Sequence, residues 1–119
     1  MEFPLHHAVD KKSVVKLERL LNKKNCDFEC KNEKGLTALH FAVSKNFKAG
    51  VYLLLRKGAK VNAKDIEEKT PLFYALDKCY TELVKHLIEG GADVNHRDQW
   101  GTTPLETAVV NDFGQGVKL

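Results

Sequence analysis

The chain has 119 residues, which is the length of one domain that can bury its own core without a metal ion or disulfide bonds. Its apolar share of 43%, its charged share of 29% and its net charge of +3 are those of an ordinary globular protein and argue against a nucleic-acid binder. The longest apolar run, residues 51–55, is too short to span a bilayer.

The N-terminal segment is predicted to form a partial helical repeat. It begins with FPLHHA at residues 3–8 and carries an apolar pair at Leu20 and Leu21, and both features recur further along the chain. No basic region followed by an apolar core precedes them, so a signal peptide is not indicated. The chain has 3 cysteines, and an odd number favours reduced thiols and a cytosolic or nuclear location.

Residues 31–63 and 64–96 are two copies of one unit, each with the same residue types at turn and apolar positions. The identical pairs include Lys31/Lys64, Thr37/Thr70, Leu39/Leu72, Ala42/Ala75, Gly58/Gly91 and Asn62/Asn95. Another copy starts at Arg97 and stops at Leu119, near the middle of its second helix. We therefore predict one domain, residues 1–119, with about 3.5 repeats at approximately residues 1–30, 31–63, 64–96 and 97–119, the first and last being partial.

Each repeat predicts a helix, a turn, a second helix and a projecting β-hairpin loop. Threonines occupy the expected N-cap positions at 37, 70 and 103, and prolines 71 and 104 follow at the first helical position. The clearest copy predicts helices over residues 38–45 and 48–56. Gly58 and Gly91, with Asn25 in the first copy, would provide the left-handed residue that ends the second helix. Because no unit buries its apolar face alone, we predict an all-α repeat solenoid.

The sequences TALHFA at residues 37–42, TPLFYA at 70–75 and TPLETA at 103–108 resemble the T-P-L-H-x-A signature of ankyrin repeats. The resemblance covers nearly the whole chain and implies binding of another protein. Phe73 and Glu106 replace the histidine of the signature, and Glu68 replaces the turn glycine. These departures leave the local geometry of the loop and of the helix starts open, within an unchanged fold.

The resemblance further implies that a partner contacts the loop tips and the concave face of the first helices. At the ends of the first helices the candidates are Lys11, Ser44, Lys45, Asp77, Lys78 and Asn111. In the loops the candidates are Glu33, Lys34, Leu36, Ile66, Glu67, Lys69, Gln99 and Trp100. Ile66 and Trp100 are large apolar groups at predicted tips, which favours a role as binding hot spots. Packing of Trp100 against the neighbouring loop is the alternative.

Two basic rows, Lys11/Lys45/Lys78 and Lys31/Lys64/Arg97, predict an acidic segment in the partner. Acidic neighbours in the sequence would weaken such a field, so an ordinary solvated surface remains the alternative. The incomplete last copy also leaves self-association through the C-terminal end open. Neither a nucleic acid nor a membrane is predicted as a partner.

Motifs for catalysis and metal binding are absent from the sequence, which contains no phosphate-binding loop, no nucleophile elbow and no C-x-x-C pair. Cys26 lies at the position of Ala59 and Ala92, so we interpret it as a small buried apolar residue. We predict no catalytic residue, metal or cofactor. The function predicted is that of a non-enzymatic protein-binding adaptor or scaffold. The alternatives are a pathogen or viral effector that targets a host regulator, and a regulatory segment of a larger enzyme or channel.

Overall fold

The computed structural model describes residues 3–24 and 26–110, with side chains as far as residue 108, and this part of the chain is a row of stacked helix pairs. The helices are α1 (Pro4–Asp10), α2 (Val14–Leu21), α3 (Ala38–Ser44), α4 (Lys48–Arg56), α5 (Pro71–Asp77), α6 (Thr81–Glu89) and α7 (Pro104–Val110). The inner helices α1, α3, α5 and α7 pack side by side in chain order, and α2, α4 and α6 form an outer layer behind them.

The core lies between the two helix layers and between successive repeats. Ala42 and Ala75 on the inner helices are fully buried, and their small side chains let neighbouring helices approach closely. Leu54 and Leu87, at the same position of successive outer helices, are also fully buried. Burial of each such leucine contributes about 2 kcal/mol, and each one is covered partly by a neighbouring repeat.

The predicted N-caps are present at two of the three threonines. The Thr37 hydroxyl accepts a hydrogen bond from the His40 backbone N–H at 3.3 Å, and the His40 ring accepts one in return from the Thr37 N–H at 3.1 Å. Thr103 forms the same reciprocal pair with Glu106, so that departure from the signature preserves the cap. Thr70 makes no side-chain cap, and Phe73 offers no side-chain acceptor for the reciprocal bond that His40 forms.

The ends of the helices require left-handed residues at two kinds of position. Gly58 and Gly91 end the outer helices with φ of +100° and +98°, as predicted, whereas Asn25 lies outside the described residues. Inner helices are followed by left-handed residues as well, namely Lys12, Asn46 and Cys79 with φ of 52°, 54° and 60°. The sequence gave no sign of this second set, because none of its members is glycine.

The predicted β-hairpins are short loops, and no strand is present in the described ranges. Each loop is closed at its base by one backbone hydrogen bond, such as that from the Asp65 N–H to the Lys69 carbonyl at 2.9 Å. Three residues lie between these two, which leaves no length for a ladder. The first helix of the clearest copy ends at Ser44 instead of Lys45, because Lys45 is its C-cap residue.

Candidate functional site

The tips of the loops are fixed by Asx turns. The side-chain oxygen of Asp65 accepts hydrogen bonds from the backbone N–H groups of Glu67 at 2.9 Å and Lys69 at 2.8 Å. Asn32 and Asp98 make the corresponding pairs of bonds in their own loops, at 2.9–3.0 Å. Each tip is therefore held in one conformation by its own side chain, and the residues on it are displayed on a rigid turn.

Consecutive tips are joined into one continuous edge of the molecule. The Ile66 N–H donates to the Lys34 carbonyl at 3.1 Å, and the Gln99 N–H donates to the Glu67 carbonyl at 2.9 Å. These two hydrogen bonds lie one repeat apart and connect equivalent positions. The loop candidates of the sequence are thus brought together along one side of the stack.

Ile66 and Trp100 are the most prominent apolar groups on this edge. Their side chains are 69% and 63% exposed, which confirms the predicted exposure. The Lys69 ammonium lies 5.5 Å from the centroid of the Trp100 ring, so the neighbouring loop does contact Trp100. The contact covers only a minor part of the ring, and most of it stays available to a partner.

The remaining loop candidates differ in their surroundings. Glu33, Lys34 and Gln99 are exposed, whereas Glu67 and Lys69 are half-buried and form an ion pair at 3.4 Å. Leu36 is half-buried at the base of its loop, where its carbonyl oxygen lies 2.7 Å from the His6 ring nitrogen. Leu36 is consequently part of the contact between repeats, and the structure does not place it at a tip.

The ends of the inner helices present the first basic row. Lys11, Lys45 and Lys78 are the C-cap residues of α1, α3 and α5, and all three are exposed. Lys45 pairs with Asp10 at 3.1 Å, and its hydrogen bond and charge lower the pKa of Asp10. The middle cation of the row is thus neutralised by a carboxylate of the preceding repeat.

The other predicted members of this surface vary in accessibility. Asp77 is exposed beside Lys78, and the half-buried Ser44 donates a hydrogen bond from its hydroxyl to the Phe41 carbonyl. Asn111 lies outside the described residues, and so does the C-terminal end at which self-association was predicted. In the second basic row, the Lys31 ammonium donates to the Lys64 carbonyl at 2.8 Å.

Two ring residues on the inner helices were not among the predicted site residues. Phe41 and Tyr74 are half-buried at equivalent positions of α3 and α5, and the Lys45 ammonium lies 5.3 Å from the Phe41 ring centroid. The Tyr74 hydroxyl donates to the Asp65 carboxylate, and burial together with this bond raises the pKa of Tyr74. Their recurrence one repeat apart was the signal that could have identified them.

The family model for ankyrin repeats, which describes three copies, matches residues 2–65 and 64–119. The chain belongs to the ankyrin repeat family. The predicted family and the predicted all-α repeat solenoid are both confirmed. Ankyrin repeats generally serve as protein–protein interaction modules and generally are not enzymes. No curated protein matches the chain.

The remaining features of this ankyrin stack concern metal ligands, membrane-spanning helices and thiols. Within the described ranges, no three histidine, cysteine, aspartate or glutamate side chains converge as metal ligands, and no helix there has the length and hydropathy to cross a bilayer. Cys26, Cys30 and Cys79 are free thiols. Cys26 is half-buried against the core, and burial raises its pKa, in keeping with its interpretation as a small apolar residue.

Proposed function

We propose that this ankyrin stack is a non-enzymatic adaptor or scaffold that binds a partner protein through its loop tips and the adjoining ends of the inner helices. The observation that carries the proposal is the exposure of Ile66 and Trp100 on neighbouring tips. Large apolar side chains, tryptophan above all, dominate the binding energy of protein interfaces. The Asx turns hold both tips before a partner arrives, which lowers the entropy lost on binding.

Polar residues would form the rim around these two anchors. The proposed rim consists of Lys11, Glu33, Lys34, Ser44, Lys45, Glu67, Lys69, Asp77, Lys78 and Gln99. An acidic segment in the partner has weak support at this surface, because Lys45 and Lys69 already pair with Asp10 and Glu67. Apolar contact and shape are therefore the better source of affinity here than charge.

The setting of the interaction is proposed from the same features. Free thiols at all three cysteines support a cytosolic or nuclear location. A pathogen or viral effector, and a regulatory segment of a larger enzyme or channel, would use the same surface and remain alternatives within the proposal. The repeat boundaries at residues 30/31, 63/64 and 96/97 likewise stay a prediction.

The test is a capture experiment from cytosolic lysate, read by mass spectrometry, with an Ile66→Ser/Trp100→Ser variant beside the unchanged chain. The matched control is Ile88→Ser/Val94→Ser, which removes two apolar groups that are 46% and 45% exposed away from the tips. Circular dichroism would verify that both variants are folded. We expect a protein that the unchanged chain and the control retain and the tip variant loses. Equal retention by all three would refute the proposed surface.

A further inference from the structure

Positive charge is concentrated on the first two outer helices, a face that the loop-tip proposal does not use. Residues 14–24 contain four basic residues and one acidic residue, and residues 48–60 contain four basic residues and no acidic one. The equivalent residues 81–93 contain one basic residue and three acidic residues. The excess therefore belongs to α2, α4 and the residues that follow them, and it does not extend to α6.

The cations of this patch are largely unneutralised. The eight basic residues are Lys16, Arg19, Lys23, Lys24, Lys48, Arg56, Lys57 and Lys60. In the described part of the chain, Lys48 is the one that pairs with a carboxylate, that of Glu82 at 3.4 Å. Lys57 donates to the Asn22 side chain at 2.8 Å, which ties the ends of α4 and α2 together. The patch thus contrasts with Lys45 and Lys69, which are both paired.

An apolar groove of about 630 Å³ lies on α2 and α4, and Arg56 is the member of the basic patch that lines it. Lys16, Lys23 and Lys24 line other hollows, which they share with Phe3 and Pro4. Val14 of α2 and Tyr52, Leu53 and Leu55 of α4 provide its apolar lining, and Arg56 lies at its edge. Tyr52 is held in place, because its hydroxyl donates to the Glu82 carboxylate and its ring centroid lies 4.2 Å from that of His86. The groove is therefore formed in the free protein, with Arg56 next to an apolar floor.

We propose that this outer face, the basic groove, binds an acidic segment of a partner protein whose apolar side chains enter between α2 and α4. A carboxylate on the segment would meet Arg56 at the groove, and others would meet the unpaired cations elsewhere on α2 and α4. The groove would accept the apolar groups of the segment. Nucleic acid fits the face less well, because an apolar floor offers nothing to a phosphate backbone and lysine outnumbers arginine in the patch. The sequence predicted an acidic partner for the rows Lys11/Lys45/Lys78 and Lys31/Lys64/Arg97. This proposal places an acidic partner on the layer of outer helices instead.

The inference goes beyond the loop-tip function and can fail or hold independently of it. Glu18 is the carboxylate among the lining residues, and the Glu82 carboxylate lies next to the groove at the Tyr52 hydroxyl. The charge of Glu18 opposes the binding of an acidic segment. Removing its charge should therefore strengthen that binding, while Ile66 and Trp100 should have no influence on it.

The experiment measures fluorescence anisotropy of a labelled synthetic peptide that has leucines at helical spacing and glutamates elsewhere. We expect saturable binding to the full chain, weakened by salt and reduced about tenfold by Arg56→Glu/Lys23→Glu. Glu18→Gln should strengthen it. The matched control, Lys64→Glu/Lys85→Glu, reverses the same number of charges outside the patch and should leave binding unchanged, as should Ile66→Ser/Trp100→Ser.

Three results would overturn the proposal. They are an absence of saturable binding, equal binding to the Arg56→Glu/Lys23→Glu variant, and tighter binding of a single-stranded DNA or of anionic vesicles than of the peptide. Replacing the leucines of the peptide by serine should abolish binding, which separates groove binding from attraction by charge alone. Circular dichroism on each variant would verify the fold.

Discussion

At the residue scale, the starts of α3 and α5 can be compared directly, because Thr37 and Thr70 occupy equivalent positions. The Thr37 hydroxyl is buried and is hydrogen-bonded to His40, whereas the Thr70 hydroxyl is buried without a partner in the described part of the chain. A buried hydroxyl without a partner costs about 1–3 kcal/mol, so the two threonines contribute differently to stability although they occupy equivalent positions. Phe73 also lacks the ring nitrogen that lies 2.9 Å from the Thr37 hydroxyl in His40.

Replacing each threonine by valine should therefore give unequal results. Thr37→Val should lower the free energy of unfolding by about 1–2 kcal/mol, because it removes a cap. Thr70→Val should leave it unchanged or raise it by up to about 1 kcal/mol, because the hydroxyl removed has no partner. Urea unfolding of the two variants measures this, and equal losses would contradict it.

His40 should make stability depend on pH. Burial lowers the pKa of His40, and the bond between its ring and the Lys69 carbonyl opposes this only in part. Because the folded-state pKa lies below the unfolded value of 6.5, the unfolded chain takes up the proton first. The contribution of His40 is thus complete above that pH and is lost as the pH falls below it.

Unfolding free energies measured from neutral pH to about pH 5 should fall by up to about 1.4 kcal/mol per pH unit on account of His40. The control is His40→Phe, which copies the residue that Phe73 provides in the next repeat. Its unfolding free energy should depend less steeply on pH over this range. An identical slope in both proteins would show that other groups cause the dependence.

At the element scale, the loop of residues 65–69 keeps its turn although Glu68 replaces the glycine that the other two loops have at this position. Glu68 adopts a left-handed φ of 62°, close to the values of 76° and 78° at Gly35 and Gly101. The Asx turn of Asp65 and the closing bond to Lys69 are retained, so the geometry of this loop, which the sequence left open, is that of the other two loops. The cost appears as backbone strain, since a side chain at this φ is disfavoured.

Glu68→Gly should stabilise the protein by about 1 kcal/mol, because glycine adopts this conformation without a steric penalty. The contact of the His96 ring with residue 68 uses the backbone carbonyl and survives the change. Glu68→Ala is the control and should give no such gain, since alanine keeps the Cβ. Thermal or urea unfolding measures both, and a gain of the same size with alanine would assign the effect to the lost charge.

At the scale of the whole molecule, stability depends on contacts between repeats, and Asn62 makes one of the most specific. Its side-chain oxygen accepts from the Asp93 N–H at 2.8 Å, and its side-chain nitrogen donates to the Gly91 carbonyl at 3.1 Å. Two such bonds hold the end of one repeat against the end of the next. The equivalent Asn95 makes no such side-chain pair within the described residues.

Asn62→Ala should accordingly lower the free energy of unfolding by about 1–2 kcal/mol, and it should broaden the transition as coupling between repeats weakens. Asn95→Ala should change it by less than about 0.5 kcal/mol. Equal effects in urea unfolding would mean that both asparagines act within their own loops.

The parts of the candidate binding surface that could be predicted from the sequence are those that recur with the repeat period. The period placed Ile66 and Trp100 at exposed tips, and it aligned Lys11, Lys45 and Lys78 as equivalent residues. It did not reveal that the cations Lys45 and Lys69 are paired. The positive charge of α2 and α4 could be counted in the sequence, but the position of Arg56 beside a groove depends on how the outer helices pack.

The sequence alone determined the repeat, the all-α stack, the positions of the clearest helices to within one residue, and the left-handed conformations at Gly58 and Gly91. Each of these follows from local chemistry or from a period, which can be read from neighbours along the chain. Only the tertiary structure decided the pairing of Lys45 with Asp10, the two bonds of Asn62 to the next repeat, and the groove beside Tyr52. These features join residues about one repeat apart, so their geometry is set by the packing of one repeat on the next.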